Sequence, residues 1–433
     1  MKTPLYRTLA LVSLSLASAS AAPTKVVFWD FFGGGDGDRM KQIVDKFNKS
    51  QSDIVVERTT LPWGVPFYTK IHTSVVSGDT PDVITYHLSR MTTGIKNGDF
   101  RAITTEEMAE AGIKLSDFQQ NLVKNQAALA KSITGKSDVY GLPLDTHTLV
   151  LYYNKDILAK AGLLDSKGQP KGLNTLEGFT AALQAIKDKT GMLPASTASS
   201  QDPSSVWRIW YTLFLQSGGK LVSGGKLSLK DMDTKGVAAL NTMVDWTKGG
   251  LIGKNATYPA MVALFSAGRA GFMINGNWEV PTFVDLKKSG KLSFDYGIVP
   301  FPKLGQNQQT WADSHMLAIP ANAKKPMTKD KLNATLKFID FVANNSLDWA
   351  GGGHIPAYLP TQNSAAYKSL QPVAQYSARA AKDVMPDPAL PIFGAAGPFF
   401  DALGNSLTPA LNGQLTSEAA IDKFKQQLTD LSK

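Results

Sequence analysis

The sequence predicts an α/β protein of two lobes joined by crossing strands, on three observations. Residues 25–85 run strand, helix, strand, helix, strand, and the same rhythm resumes after about residue 140. No internal repeat, low-complexity stretch or flexible tether separates the two halves. Halves connected without a linker favour a hinged cleft between them.

Lys25-Val26-Val27-Phe28-Trp29 alternates like a strand, and Ile54 to Glu57 and Pro81 to Thr85 supply two more. Met40, Ile43, Val44 and Phe47 share one face of the intervening helix, and Tyr68 to Val76 forms the next. In the second half, Leu149 to Tyr153 reads as a buried strand, and Asp156 to Ala161 as a helix stopped by Gly162. Leu176 to Lys187 and Val237 to Thr247 are amphipathic helices. Strands follow at Ala270 to Ile274, Tyr296 to Val299 and Met316 to Ile319, and the last hundred or so residues are mostly helical.

Residues 1–22 read as a cleaved export signal: Lys2 and Arg7, a short apolar run Leu9 to Leu16, then Ala19-Ser20-Ala21. The apolar run is far below the roughly 20 residues of a membrane span. There are no cysteines, which excludes disulfides, thiol chemistry and a lipidated N-terminal cysteine. A periplasmic location, free of a lipid anchor, is expected. The formal charge of +9 is dispersed, without the basic blocks of a nucleic-acid-binding chain.

Several segments together resemble the extracellular solute-binding proteins of bacterial ABC sugar importers, the maltose-binding-protein type. They are Val27-Phe28-Trp29 with Phe47-Asn48, Ser77 to Val83, Leu151-Tyr152-Tyr153-Asn154-Lys155-Asp156 with Ala161-Gly162-Leu163, Phe265 to Trp278, Gly297 to Pro302, and Gly353 to Ala357. The chain departs from the family pattern at Asn277, where a proline is usual, and in the long glycine run Gly33 to Gly37. The resemblance implies a type II periplasmic-binding-protein fold with discontinuous lobes and a ligand cleft at the hinge. Lobe 1 would take 23–143 and 317–361, and lobe 2 would take 144–316 and 362–433. It further implies a monomer that is not an enzyme, with a small-molecule sugar as ligand, a di- or oligosaccharide, and ABC permease subunits as partners.

Sugars need flat aromatic surfaces for their C–H faces and polar groups for their hydroxyl equator. Trp278, after a turn signal, matches the family's stacking position. Trp63 lies in a proline-bounded loop, Trp207 faces a cleft if its helix does, and Trp311 sits at a predicted crossing. Tyr86 follows the third strand at the family's aromatic position. Trp29 and Trp246 read as core, and Trp349 fits either role. Asp145 stands at the first crossing, where a carboxylate can accept from two vicinal hydroxyls. His147 shares its strand face. Asp36 either contacts ligand or, with Asp38, caps a helix. Arg90, Asp313 and His354 complete the candidates.

No nucleophile elbow, zincin motif or phosphate loop is present, and no cofactor is expected. Five scattered histidines lack metal-ligand spacing, so no metal site is expected. An alternative keeps the fold and exchanges the sugar for a phosphate ester such as glycerol 3-phosphate or its diesters, held by Arg90, Arg208 and the Gly33 to Gly37 amides.

Overall fold

The computed structural model describes residues 22–199 and 202–433. The expected export signal therefore lies outside the described residues, apart from Ala22. Among the described residues fourteen strands run in chain order: β1 (Thr24–Asp30), β2 (Ile54–Thr60), β3 (Val83–His87), β4 (Gly141–Pro143), β5 (Asp145–Asn154), β6 (Leu193–Ser196), β7 (Val222–Ser223), β8 (Lys226–Leu227), β9 (Ala270–Gly276), β10 (Tyr296–Pro300), β11 (Thr310–Asp313), β12 (His315–Ala318), β13 (Ile355–Pro356) and β14 (Val384–Met385).

Two sheets organise the molecule. The first has the order β2-β1-β3-β12-β4, with β1 parallel to β2 and β3, and β12 antiparallel to β3 and β4. The helix Gly34–Ser50 buries Met40, Ile43, Val44 and Phe47 against it, the face predicted from their spacing. The second sheet centres on β5, which pairs with β9, β10, β11 and β13 along its length; β14 and β6 lie beyond β11 and β9. β5 is buried throughout, as its uninterrupted apolar run requires of a central strand. One apolar core fills the first lobe, and two lie in the second, the larger taking in the C-terminal helices. The architecture is a two-lobe type II binding-protein fold.

The chain passes between sheets almost without slack. Leu144 alone separates β4 in the first sheet from β5 in the second, and Ser314 alone separates β11 from β12. The crossings bond one another: the Leu144 N–H donates to His315 O at 2.7 Å, and the Ala357 N–H to Leu144 O at 3.0 Å. A third crossing follows β13, where the Gln119 N–H donates to Ala357 O at 2.8 Å.

Recurrent motifs have local physical reasons. Asn154 ends β5 and caps the helix Lys155–Ala161, accepting from the Asp156 and Ile157 N–H groups at 3.0 and 3.1 Å. Asn277 bonds two elements at once, accepting from the Thr148 N–H at 3.0 Å and donating to Gly353 O at 2.8 Å. A proline there would lack both bonds.

The glycine run is not a loop but the first turn of the helix Gly34–Ser50, whose N-cap, Gly33, makes no side-chain cap bond. Neither Asp36 nor Asp38 serves as the N-cap. Arg58 anchors that turn. It donates to Gly37 O at 2.8 Å and Phe32 O at 3.1 Å while pairing with the fully buried Asp30 carboxylate through Nε and Nη2. Burial is the largest influence on Asp30 and raises its carboxyl. Arg58→Met keeps an apolar stem but leaves that carboxylate unpaired, so a stability loss of about 3–5 kcal/mol is expected in urea denaturation at neutral pH.

Candidate functional site

A cleft of about 580 Å³ opens between the sheets, within the size range of small-molecule sites. Phe31, Phe32, the glycine turn, Asp36, Trp63 and His87 line one wall, and Asp202, Ser204, Arg208, Tyr258, Trp278, Glu279 and Thr282 the other. His147, His315 and His354, from the crossing segments, also line it.

The walls are built on element ends. Trp63 follows β2 and is 43% exposed, its edge toward His87 with ring centroids 6.5 Å apart. Trp278 follows β9 in a short 3-10 turn, its Nε1 donating to Tyr258 Oη at 2.9 Å. Tyr258 in turn donates to the Glu279 carboxylate. The Arg208 guanidinium lies 4.7 Å from both the Trp278 and Trp311 ring centroids. At the outer edge the walls touch: a Cβ on Gly35 would come within 2.2 Å of Pro281 Cβ, and Arg39 reaches Asp285 at 3.5 Å.

Beneath the cleft lies a buried carboxylate. Asp145 accepts from His315 Nδ1 at 2.8 Å, the His315 N–H at 3.0 Å and Trp349 Nε1 at 2.7 Å. His147 Nδ1 approaches it at 3.3 Å and His354 Nδ1 at 3.2 Å. Strand register assembles the group: His147 faces Asp313 across β5–β11, His315 faces His87 across β12–β3, and Pro356 faces Asp145 across β13–β5. Gly353 places His354. Its φ of +92° and the 2.0 Å that would separate a Cβ from Asn277 O require glycine there.

Electrostatics follow from burial and these neighbours. Burial would raise Asp145, but His315, His354 and the histidine hydrogen bonds hold it well below the usual carboxylate range. Burial and the adjacent imidazoles push His147 down to about 3 and His87 well below its ordinary value. Burial opposes protonation of His354 too, yet the Asp36 and Asp145 carboxylates raise it.

Of the residues picked from sequence, Asp36, Trp63, His147, Trp278 and His354 line the cleft. Six lie elsewhere. Tyr86 is buried in the first core, edge-on to Tyr68 and Phe100, because successive strand residues face opposite ways and its neighbour His87 takes the cleft side. Arg90 stacks on Tyr68 and donates to the Ala395 and Ala396 carbonyls, clamping the C-terminal segment. Asp145 is the hub beneath the floor. Asp313 accepts from the Ser89 N–H at 3.0 Å and from the Ser89 hydroxyl. Trp207 and Trp311 are buried, both indoles donating to Asp387 Oδ1, at 2.8 and 2.7 Å. Trp246 and Trp349 are core, whereas Trp29 is half-buried.

Sequence reading also missed residues. His87 and His315 were within reach, one position from Tyr86 and two from Asp313; Tyr258, Asp202 and Glu279 carry no local signal. The histidine spacing argument fails outright. Four of the five histidines gather here through strand crossings, and donor atoms of Asp145, His147, His315 and His354 lie within 4.8 Å of one another, as do those of His87, His147 and Asp313.

A model of the family described as bacterial extracellular solute-binding protein matches residues 34–347. The arabinooligosaccharide-binding protein of Bacillus subtilis is 23% identical over 317 residues, 72% of this chain and 69% of that protein. The sn-glycerol-3-phosphate-binding periplasmic protein of Pectobacterium atrosepticum is 27% identical over 199 residues, covering 44% and 42% respectively. The GacH receptor of Streptomyces glaucescens, solved unliganded and with acarbose, superposes with a TM-score of 0.78 at 18% identity, over 95% of this chain and 98% of that one.

Burial, the largest cause, pushes Asp313 up to about 7 and Asp387 up to about 6. Both hold a proton more readily folded than unfolded, so their contribution to stability falls as pH rises from roughly 4 to 7. Asp387→Asn removes the charge and keeps an acceptor for both indoles. Urea midpoints are expected to show it more stable than the parent at pH 8 by about 1–3 kcal/mol, with the advantage shrinking toward pH 4.

Proposed function

The chain belongs to the family of bacterial extracellular solute-binding proteins, and on that premise we propose that it is the receptor of an ABC importer for a neutral oligosaccharide. Sugar enters between the lobes, contacts both walls and stabilises the closed form by its differential affinity for that form. The closed shape is then presented to the permease subunits. The protein is exported by its N-terminal signal, works as a monomer free of a lipid anchor, and performs no chemistry on its ligand. Among the described residues no helix is long and apolar enough to cross a membrane.

The observation that carries this reading is the pair of indoles on opposite walls, Trp63 and Trp278, in a cleft otherwise rich in hydroxyl, carboxyl and imidazole groups. Trp63 is exposed and Trp278 half-buried, and a sugar ring has the apolar face that matches an indole at a cleft wall. The acceptors for its hydroxyls are Asp36, Asp202 and Glu279.

A phosphate ester is the second reading, and Arg208 is the observation in its favour. Against it, Arg208 is the one arginine or lysine of the lining among the described residues and its guanidinium already rests on two indoles, while three carboxyl side chains share the cleft. Such a lining suits hydroxyls better than a phosphate.

Because Trp63 is exposed, Trp63→Ala is expected to leave stability within about 0.5 kcal/mol of the parent. Calorimetric titration with arabino-, malto- and galacto-oligosaccharides is expected to show the bound series weakened at least about tenfold, or 1.4 kcal/mol. Unchanged affinity, or competition by glycerol 3-phosphate and not by any neutral sugar, would overturn the assignment.

A further inference from the structure

We propose that a single divalent transition-metal ion, Zn(II) fitting best, binds beneath the cleft through Nδ1 of His147, His315 and His354 and the Asp145 carboxylate, displacing to solvent the proton that His315 Nδ1 otherwise shares with that carboxylate. The site lies beneath the indole-bearing walls, and its three histidines also line the cleft floor.

Geometry is the first support. The Nδ1 atoms of His315 and His354 stand 2.8 and 3.2 Å from Asp145 Oδ2 and that of His147 stands 3.3 Å from Oδ1, with donor atoms of all four residues within 4.8 Å of one another. Four ligands held tetrahedrally at zinc's usual bond lengths are about 3.3 Å apart. The imidazole centroids are 4.3, 5.5 and 6.0 Å from one another, and three rings fanning from one such ion put them roughly 5 Å apart. Three imidazoles and one carboxylate are a donor set suited to zinc and its neighbours.

The second support is a buried nitrogen without a hydrogen bond, held between two carboxylates. His354 Nε2 lies 3.0 Å from Asp36 Oδ2. Its Nδ1 stands 3.2 Å from Asp145 Oδ2, yet it is buried and has no hydrogen-bond partner. Two carboxylates flanking one imidazole in a dry site call for a positive charge there, which a metal ion on Nδ1 supplies. The surroundings match the outer shell of a metal centre: Asp36 orients a ligating imidazole, and the Trp349 indole and His315 N–H orient the ligating carboxylate.

Four protein ligands leave no open position, so the ion is structural. Its ligands come from β5 and β12, at two of the crossings, and from the residue just before β13, ahead of the third. The ion would pin these crossings together and hold the histidine edges that form part of the cleft floor.

The test uses the full mature chain, dialysed against chelator and titrated without sugar, with Zn(II) by calorimetry and with Co(II) by visible absorption. One ion per chain is expected, with the intense bands of tetrahedral Co(II), and a raised melting temperature on Zn(II) addition. His354→Ala is expected to lose at least about tenfold in Zn(II) affinity, while His72→Ala, outside the cluster, changes nothing. Should His354→Ala fail to fold, Asp36→Asn alters only the outer shell and is expected to weaken Zn(II) about 10–100-fold. No uptake of either ion, or equal affinity in all variants, would overturn the site and leave a proton in place of the metal. None of these readouts involves sugar, so their failure and failure of the sugar reading are separable.

Discussion

A carboxylate with no exposed surface, placed where the chain changes lobes, sets the terms for the rest of the molecule. Removing Asp145 from water is expensive unless its oxygens are fully engaged. The partners come from several elements: its own strand through His147, the β11–β12 passage through His315, the residue before β13 through His354, and the helix Ser346–Ala350 through Trp349. Each partner is tied down in turn. The strand register, the left-handed Gly353 and the two hydrogen bonds of the Asn277 side chain all hold these groups around one point. The junction between the sheets is thus a buried polar core organised around one carboxylate.

Above that junction the division of labour is simple. Rigid strand ends deliver side chains to the cleft, while the lobe cores keep the walls in shape. Arg58 shows how far this support extends: its pairing with a buried aspartate fixes the glycine turn that carries Asp36 to the cleft. On the facing wall, Arg208 covers Trp278 and Trp311, and the two indoles of Trp207 and Trp311 share the Asp387 carboxylate. A wall braced this way is preorganised, which lowers the ordering cost of binding.

Much of the fold was legible because local periodicity reports burial directly. Met40, Ile43, Val44 and Phe47 face the core as their spacing requires, and the unbroken apolar run in β5 marks a central strand. The site was legible only in part. Turn and loop signals located Trp63 and Trp278, since aromatic residues at element ends have little core to enter. Tyr86 and His87 illustrate the limit: an extended pair differs by 180° in direction, and no pattern in the sequence says which side is the cleft. Asp145 and His147 share a strand face, as their spacing shows, but their meeting with His315 and His354 was not legible, for a deeper reason. His147, His315 and His354 are brought together by strands that cross between lobes, so sequence spacing carries no information about their distance.

The measurement that bears most directly on this account is a thermal-shift screen of the mature chain, unfolded and refolded to remove any carried-over ligand. Its panel holds neutral mono- and oligosaccharides, polyols and phosphate esters. A cognate ligand at a hundred times its Kd adds about 2.7 kcal/mol of stability, a readily visible rise in midpoint. The account predicts that rise with one neutral oligosaccharide series. A rise with phosphate esters alone, or with nothing in the panel, would contradict it.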